Sequence, residues 1–388
     1  MNDSTKKGMI YFLFLMMLVS SFVSFEPAPY DLLMMIFIGG SILLSRLKLT
    51  RELAFPFVLI CFFLISNLIS LLLAEDMAHS LFFTGITFYL VLTWITLILM
   101  GHYLNQKSLQ IILNGYLISA LFATLAGTLA YFQIFIIDAD LIMFDRVKAF
   151  FKDPNVFGPY LVLPALFSIY MWESQSKTKS LKMFYLISFL VLGMGIILSF
   201  SRAAWGNFAL SLTVYLLIIK GKELNKRVKT VLVLFFIATP LFIYLVQTPA
   251  VAQLFESRLG YQGYDDTRFN TQKAVITAGL SNPWGIGGGQ SDQVVQTDPH
   301  NLYARVFTEN GVLGIITLAI FLLLSIKNSY SSFRRKRGEF NQFYVMVFAT
   351  LLGLVFNGFF VDTLHWRHLW FLLALAWIPY SEAKQKIK

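Results

Sequence analysis

About twelve apolar runs divide this chain, over 9–25, 30–45, 54–74, 81–100, 109–132, 156–172, 183–200, 203–219, 230–247, 302–326, 343–361 and 364–380. Each comes close to the ~20 residues that carry an α-helix across ~30 Å of hydrocarbon, the second, sixth and eighth being shorter. The pattern predicts an all-α polytopic membrane protein, one integral domain over 1–388. Composition agrees. With 57% hydrophobic and 13% charged residues and a mean hydropathy of +0.67, the chain is far from a soluble globular domain, where about 25% of residues are charged. The first run follows Lys6 and Lys7 and is not followed by a small-x-small cleavage site, so it reads as an uncleaved span.

The charge is +10, but the Lys and Arg sit in short clusters between apolar runs, as topogenic loops do, which argues against a nucleic-acid partner. Cys61 is the only cysteine and lies in an apolar run, which excludes a disulfide framework and a cysteine-based metal site. Runs alternating from a cytoplasmic N-terminus leave both termini cytoplasmic. Nine basic residues then fall outside, against the positive-inside bias: Arg146, Lys148, Lys152, Arg202, Arg258, Arg268, Lys273, Arg305 and Arg367, the other 22 of 31 lying inside. Basic side chains held where topology disfavours them point to an anionic substrate.

Two outer loops are long enough to carry structure. The first, 133–155, mixes apolar and charged residues and predicts a short interfacial helix ending at the turn Asp153-Pro154-Asn155. The second, 248–300 between spans 9 and 10, predicts a helix with Arg268 in its first turn, with Arg268, Gln272 and Val275 at helical spacing, stopped at Asn282-Pro283. Gly285, Gly287, Gly288 and Gly289 then form a turn. They are not followed by the Lys-Ser/Thr of a phosphate loop. Asp265, Asp266, Asp292 and Asp298 read as helix-cap and loop acids, because no ligand spacing accompanies them. His365, Arg367 and His368 among tryptophans read as an interfacial anchor with a possible supporting role.

His300 opens the next span, with Asn301, Arg305 and Glu309 following it on successive turns. That polar clustering favours a working histidine over a structural one. Arg202, in Leu198-Ser199-Phe200-Ser201-Arg202-Ala203, stands between two runs at headgroup height, where a guanidinium either snorkels or holds a lipid-linked phosphate.

Four motifs occur in order over about 140–320: Phe151-Lys152-Asp153-Pro154-Asn155 with Gly158; the stretch 198–203; Arg268 ahead of Asn282-Pro283-Trp284-Gly285-Ile286-Gly287; and His300-Asn301 with Glu309-Asn310-Gly311-Val312-Leu313-Gly314. Together they resemble the O-antigen ligase and O-antigen polymerase superfamily. The resemblance implies a membrane glycosyltransferase in the bacterial cytoplasmic membrane, working on its outer face without metal or cofactor and with inversion. Its substrates would be an undecaprenyl-diphosphate-linked glycan donor and a glycan or lipid A-core acceptor, met among membrane lipids. It assigns the donor diphosphate to Arg202 and Arg268 and the acceptor to His300. Arg146, Lys152, Asn155, Asn301 and Arg305 complete the expected substrate-binding set, with the arginines converging and His300 within a few ångströms of them.

The residue chemistry is consistent with that assignment. Diphosphate leaves readily once its charge is held, and bidentate guanidinium groups hold it. The acceptor hydroxyl needs alignment and a base, which imidazole supplies near pH 7. Polymerisation of O-antigen, capsule or exopolysaccharide repeat units is the preferred reading, with transfer of O-antigen to lipid A-core the alternative. A transporter or flippase of lipid-linked glycans would place ionisable residues near the bilayer midplane, whereas here they lie at span ends and in loops.

Overall fold

The computed structural model describes residues 2–44, 51–134, 140–174, 177–218, 227–230, 232–233, 236–237, 239–240, 243, 247–260, 263–295, 299–335 and 339–378. The helices are α1 (Asp3–Leu18), α2 (Pro29–Leu44), α3 (Arg51–Leu71), α4 (Met77–Gly101), α5 (Gln106–Tyr131), α6 (Pro154–Tyr160), α7 (Val162–Glu173), α8 (Lys179–Leu198) and α9 (Arg202–Leu217). They continue with α10 (Pro249–Leu259), α11 (Gly263–Ser281), α12 (Ser291–Val295), α13 (Leu302–Arg335), α14 (Glu339–Asn357) and α15 (Arg367–Trp377). Among the described residues, six segments are long and apolar enough to cross a membrane: α3, α4, α5, the pair α6–α7, α8 and α13. α2 and α14 are shorter apolar helices. The ninth run falls largely outside the described residues, as do Asp298 and most of the basic residues at 46–50, 220–226, 336–337 and 384–388.

The chain separates into two compact units. The first comprises Met1–Met34, Leu104–Gln262 and Ser332–Gly353; the second comprises Met35–Tyr103, Gly263–Ser331 and Leu354–Lys388.

In the first unit α1 packs on α5, and α5, α7 and α8 pack on one another. α6 and α7 make one span, bent at Leu161, with nearly every residue buried. At the far end of α7 the carboxylate of Glu173 is fully sequestered. It pairs with the Arg227 guanidinium at 3.0 Å and accepts from the hydroxyls of Tyr215 and Thr230. A buried carboxylate survives there because a counter-ion and two hydroxyl donors answer its charge.

The expected interfacial helix over 133–155 is not formed in the described part of that loop. Residues 140–153 instead carry a two-stranded hairpin, β1 (Ile142–Met143) and β2 (Arg146–Val147), paired antiparallel with Ile142 opposite Val147. Its two turn residues, Phe144 and Asp145, both adopt positive φ, 50° and 57°, the backbone that matches the right-handed twist of flanking strands. Asp153-Pro154 starts a helix rather than ending one. The Asp153 carboxylate accepts from the Asn155 N–H and Pro154 takes the first helical position, where its missing N–H costs nothing.

In the second unit α3 shows why these helices suit lipid. Phe55, Val58, Phe62, Ile65 and Leu68 form an exposed apolar stripe, while the buried face carries Ser66, Asn67 and Ser70. These hydroxyls and the carboxamide return their hydrogen bonds to backbone carbonyls about one turn back, so small polar residues can face other helices at close range. α15 is buried on all sides and packs on α4. Trp377 Nε1 donates to Ser325 Oγ at 2.7 Å and Asn328 donates to the Ala376 carbonyl, fastening it to α13. The segment 248–300 is helical as expected, but it contains α10 and α12 besides the single helix foreseen.

Candidate functional site

In the first unit the turn Ser199-Phe200-Ser201 joins α8 to α9 and puts Arg202 at the head of α9. Phe200 takes a positive φ of 45°, and the Ser201 hydroxyl caps α9 by accepting from the Ala204 N–H. The buried Arg146 fixes this turn from the side. Its Nε donates to the Ser199 carbonyl at 2.9 Å and its Nη2 to Asn155 Oδ1 at 2.9 Å. One guanidinium therefore ties the hairpin, the start of α6 and the Arg202 turn together. Gly158 allows the approach: a Cβ there would stand 2.6 Å from Ala204 Cβ and 2.7 Å from Ser199 Oγ.

On its other side the turn meets α10. Phe255 stacks on Trp205 with centroids 5.1 Å apart and meets Phe200 edge-on at 5.6 Å. Lys148 bonds Asp140 at 2.6 Å, and the half-exposed Lys152 pairs with Glu26 at 2.8 Å.

In the second unit α11 ends at Ser281, immediately before Asn282-Pro283. Arg268 lies in its second turn rather than the first, because the helix already begins at Gly263, and it sits on the half-buried stripe formed with Thr271 and Gln272 that leads to the buried Val275 and Gly279. The helix is seated there by the Thr308 hydroxyl, which donates to the Val275 carbonyl at 2.6 Å.

The turn after α11 and the break in α13 are built for each other. Gly311 interrupts α13 with φ 71° and ψ −170°, so the carbonyls just ahead of it lose intrahelical donors. Ile286 N–H donates to Thr308 O at 3.0 Å and Gly287 N–H to Glu309 O at 3.1 Å, while Val312 N–H donates to Pro283 O at 2.9 Å. A Cβ on Gly311 would strike the Pro283 carbonyl, and one on Gly285 the Glu309 carbonyl. The Asn-Pro-Trp-Gly-Ile-Gly and Glu-Asn-Gly motifs are thus two sides of one backbone joint, and the glycine turn has positive φ at Gly285, Gly287 and Gly289.

His300 precedes α13 with φ 48°, a left-handed conformation that few residues with a Cβ adopt. Asn301 follows it. Its Oδ1 accepts from the Tyr303 and Ala304 N–H groups, capping α13, and its Nδ2 donates to the Phe359 carbonyl at 3.1 Å. Behind the cap, Arg305 is buried in an acidic pair. Its Nε bonds Glu309 Oε1 at 3.0 Å and its Nη1 bonds Asp362 Oδ2 at 2.8 Å. Glu309 also accepts a 2.5 Å bond from Ser291 Oγ, which draws α12 in. The guanidinium lies 5.1 Å from the Phe83 ring centroid, and Phe83 contacts His365, whose Nε2 is 3.0 Å from Thr87 Oγ1.

Of the residues chosen from sequence, the first unit holds Arg146, Asn155 and the Arg202 turn in one hydrogen-bonded group, with Lys152 apart on Glu26. The second unit holds His300, Asn301 and Arg305 at the head of α13, and Arg268 on α11. Asn301 and Arg305 each bond to protein partners. Sequence reasoning did not single out Asp362, Ser291, Phe83 or Thr87. Only Asp362 carried a signal, as an acidic residue at the end of an apolar run. Among the described residues no three His, Cys, Asp or Glu side chains gather at metal-ligand spacing.

No curated protein matches the chain. Residues 187–319, from α8 through the Gly311 break and including Arg202, Arg268 and His300, match the family model described as O-antigen ligase.

Proposed function

We propose that this protein joins a glycan carried on undecaprenyl diphosphate to a sugar hydroxyl at the outer face of the bacterial cytoplasmic membrane, with inversion and without a metal. The product is the polysaccharide chain, lengthened by one transfer. The family match over 187–319 carries the reading, because Arg202, Arg268 and His300 stand in that order inside it.

Arg202 and Arg268 hold the diphosphate and neutralise the charge that builds on it as the C1–O bond breaks. His300 orients the acceptor hydroxyl and takes its proton as the new C1–O bond forms on the opposite face of the ring. The support for His300 is its place at a capped helix start inside the matched segment. Arg146 supports Arg202 by bonding the Ser199 carbonyl three residues before it.

The test is transfer from purified undecaprenyl-diphosphate glycan to an acceptor in the presence of EDTA. Wild type should retain activity. Arg268→Ala should lose it, and His300→Gln should fall by about 10²–10⁴-fold, the usual contribution of a general base. Inactivation of wild type by EDTA would sink the metal-free mechanism, and full activity in His300→Gln would remove the base. A ladder of repeat units in the product identifies polymerisation, and a single addition to lipid A-core identifies ligation.

A further inference from the structure

Beside the joint described above, the second unit contains a cleft of about 660 Å3, within the roughly 300–1,000 Å3 usual for small-molecule sites. Its walls are the segment after α3 (Glu75), the end of α11 and the turn after it (Asn282, Trp284, Gln290), and α12 (Gln293, Val294). The walls are set before any ligand arrives. Gln290 is buried and grips Asp76 twice, donating from Nε2 to the carbonyl at 2.9 Å and accepting from the N–H at 3.4 Å. The three backbone bonds to the α13 break hold the turn, and Ser291 is held by Glu309.

On this fixed frame Trp284 leaves 60% of its surface exposed, and Glu75, Asn282 and Gln293 are exposed around it. An indole on a rigid turn, rimmed by carboxamides and a carboxylate, matches one ligand chemistry closely. A pyranose ring has an apolar face of C–H groups that covers an aromatic ring and an edge of hydroxyls that needs both donors and acceptors. We propose that this cleft is a subsite for pyranose residues of the glycan substrate, with Trp284 as the platform; the proposal rests on the glycan-transfer reading above and names where the sugar chain lies.

The probe is the free oligosaccharide released by mild acid from the lipid-linked glycan of the producing cells. Its binding to full-length His300→Ala protein in detergent is measured by calorimetry. Saturable binding is expected, weakened about tenfold by adding Trp284→Ala and less by Trp284→Phe, as loss of one aromatic contact predicts. Gln293→Ala, at an exposed position, should weaken it a few-fold. In the transfer assay Trp284→Ala should raise the acceptor KM and leave kcat nearly unchanged, a split that an aromatic serving only as a membrane anchor would not produce. The subsite is overturned if the His300→Ala protein does not bind the oligosaccharide, or if Trp284→Ala binds it as tightly and keeps the wild-type KM. If wild type transfers nothing while Trp284-dependent binding persists, the transfer reading fails and the subsite stands.

Discussion

Arg305 shows how a residue can look like a ligand-binding cation and be held for another purpose. From sequence it is a basic residue on the disfavoured side of the membrane, close to a candidate histidine. In the structure its side chain is 6% exposed and bonded to Glu309 and Asp362. Arg305→Ala would leave two buried carboxylates without their counter-ion, a loss of about 3–5 kcal/mol for a buried pair, so the protein in detergent should unfold at clearly lower temperature. Arg305→Lys keeps the charge but not the fork, and should fall between. His300→Ala should melt close to wild type, since His300 precedes the helix and Asn301 supplies the cap. Equal melting of Arg305→Ala and wild type would show that the acidic pair is not load on the fold. The sequence could mark Arg305 as anomalous but not name its partner, because Asp362 lies 57 residues further on. Asn301 illustrates the same limit, as its capping role depends on helix α13 beginning at Leu302.

Helices were legible where burial and length coincide, and the glycine turn after Asn282-Pro283 was legible, whereas Asp153-Pro154, read as a turn that ends a helix, starts α6. α3, α4, α5, α8 and α13 match the apolar runs to within a few residues, apart from the extension of α13 to Arg335, and α11 stops where Asn282-Pro283 requires. The hairpin at 142–147 was not legible, because its turn is Phe144-Asp145 rather than the Asn-Gly or Asp-Gly that would announce it. The break in α13 was hidden for a different reason. Gly311 sits inside a long apolar pattern, and only the backbone of the turn at 283–287 explains why the helix opens there. Gly311→Ala should therefore be costly, since it combines a positive φ, about 1–3 kcal/mol for a residue with a Cβ, with a clash at the Pro283 carbonyl. Gly193→Ala in α8 meets nothing within 4 Å and should be neutral or slightly stabilising. Thermal unfolding of the two variants side by side separates a glycine the fold requires from one it merely contains. A neutral Gly311→Ala would mean that the joint is not needed to hold α13 open.

At the scale of the whole molecule, helices long and apolar enough to cross a membrane were written in the apolar runs, but the partition into two units was not. Each unit is assembled from three separated stretches, and no composition shift marks Met34, Tyr103 or Gly353. The exposed apolar stripe of α3 shows why the runs are informative: in a bilayer the outward face is apolar whatever the inward face does, so hydropathy survives without knowledge of partners. Sidedness rests on a weaker physical basis, the bias of Lys and Arg toward cytoplasmic loops. It predicts that α12 lies outside and the start of α8 inside. Both can be read in one background, because Cys61 is the only cysteine. In Cys61→Ser protein, a cysteine at the exposed Gln293 should react with a membrane-impermeant maleimide in intact spheroplasts. A cysteine at the exposed Lys179 should react only after the membrane is opened. Reversal of the two would put Trp284, His300 and the glycine turn on the cytoplasmic side, away from any outward-facing glycan, and the transfer chemistry at the outer face would fall with them.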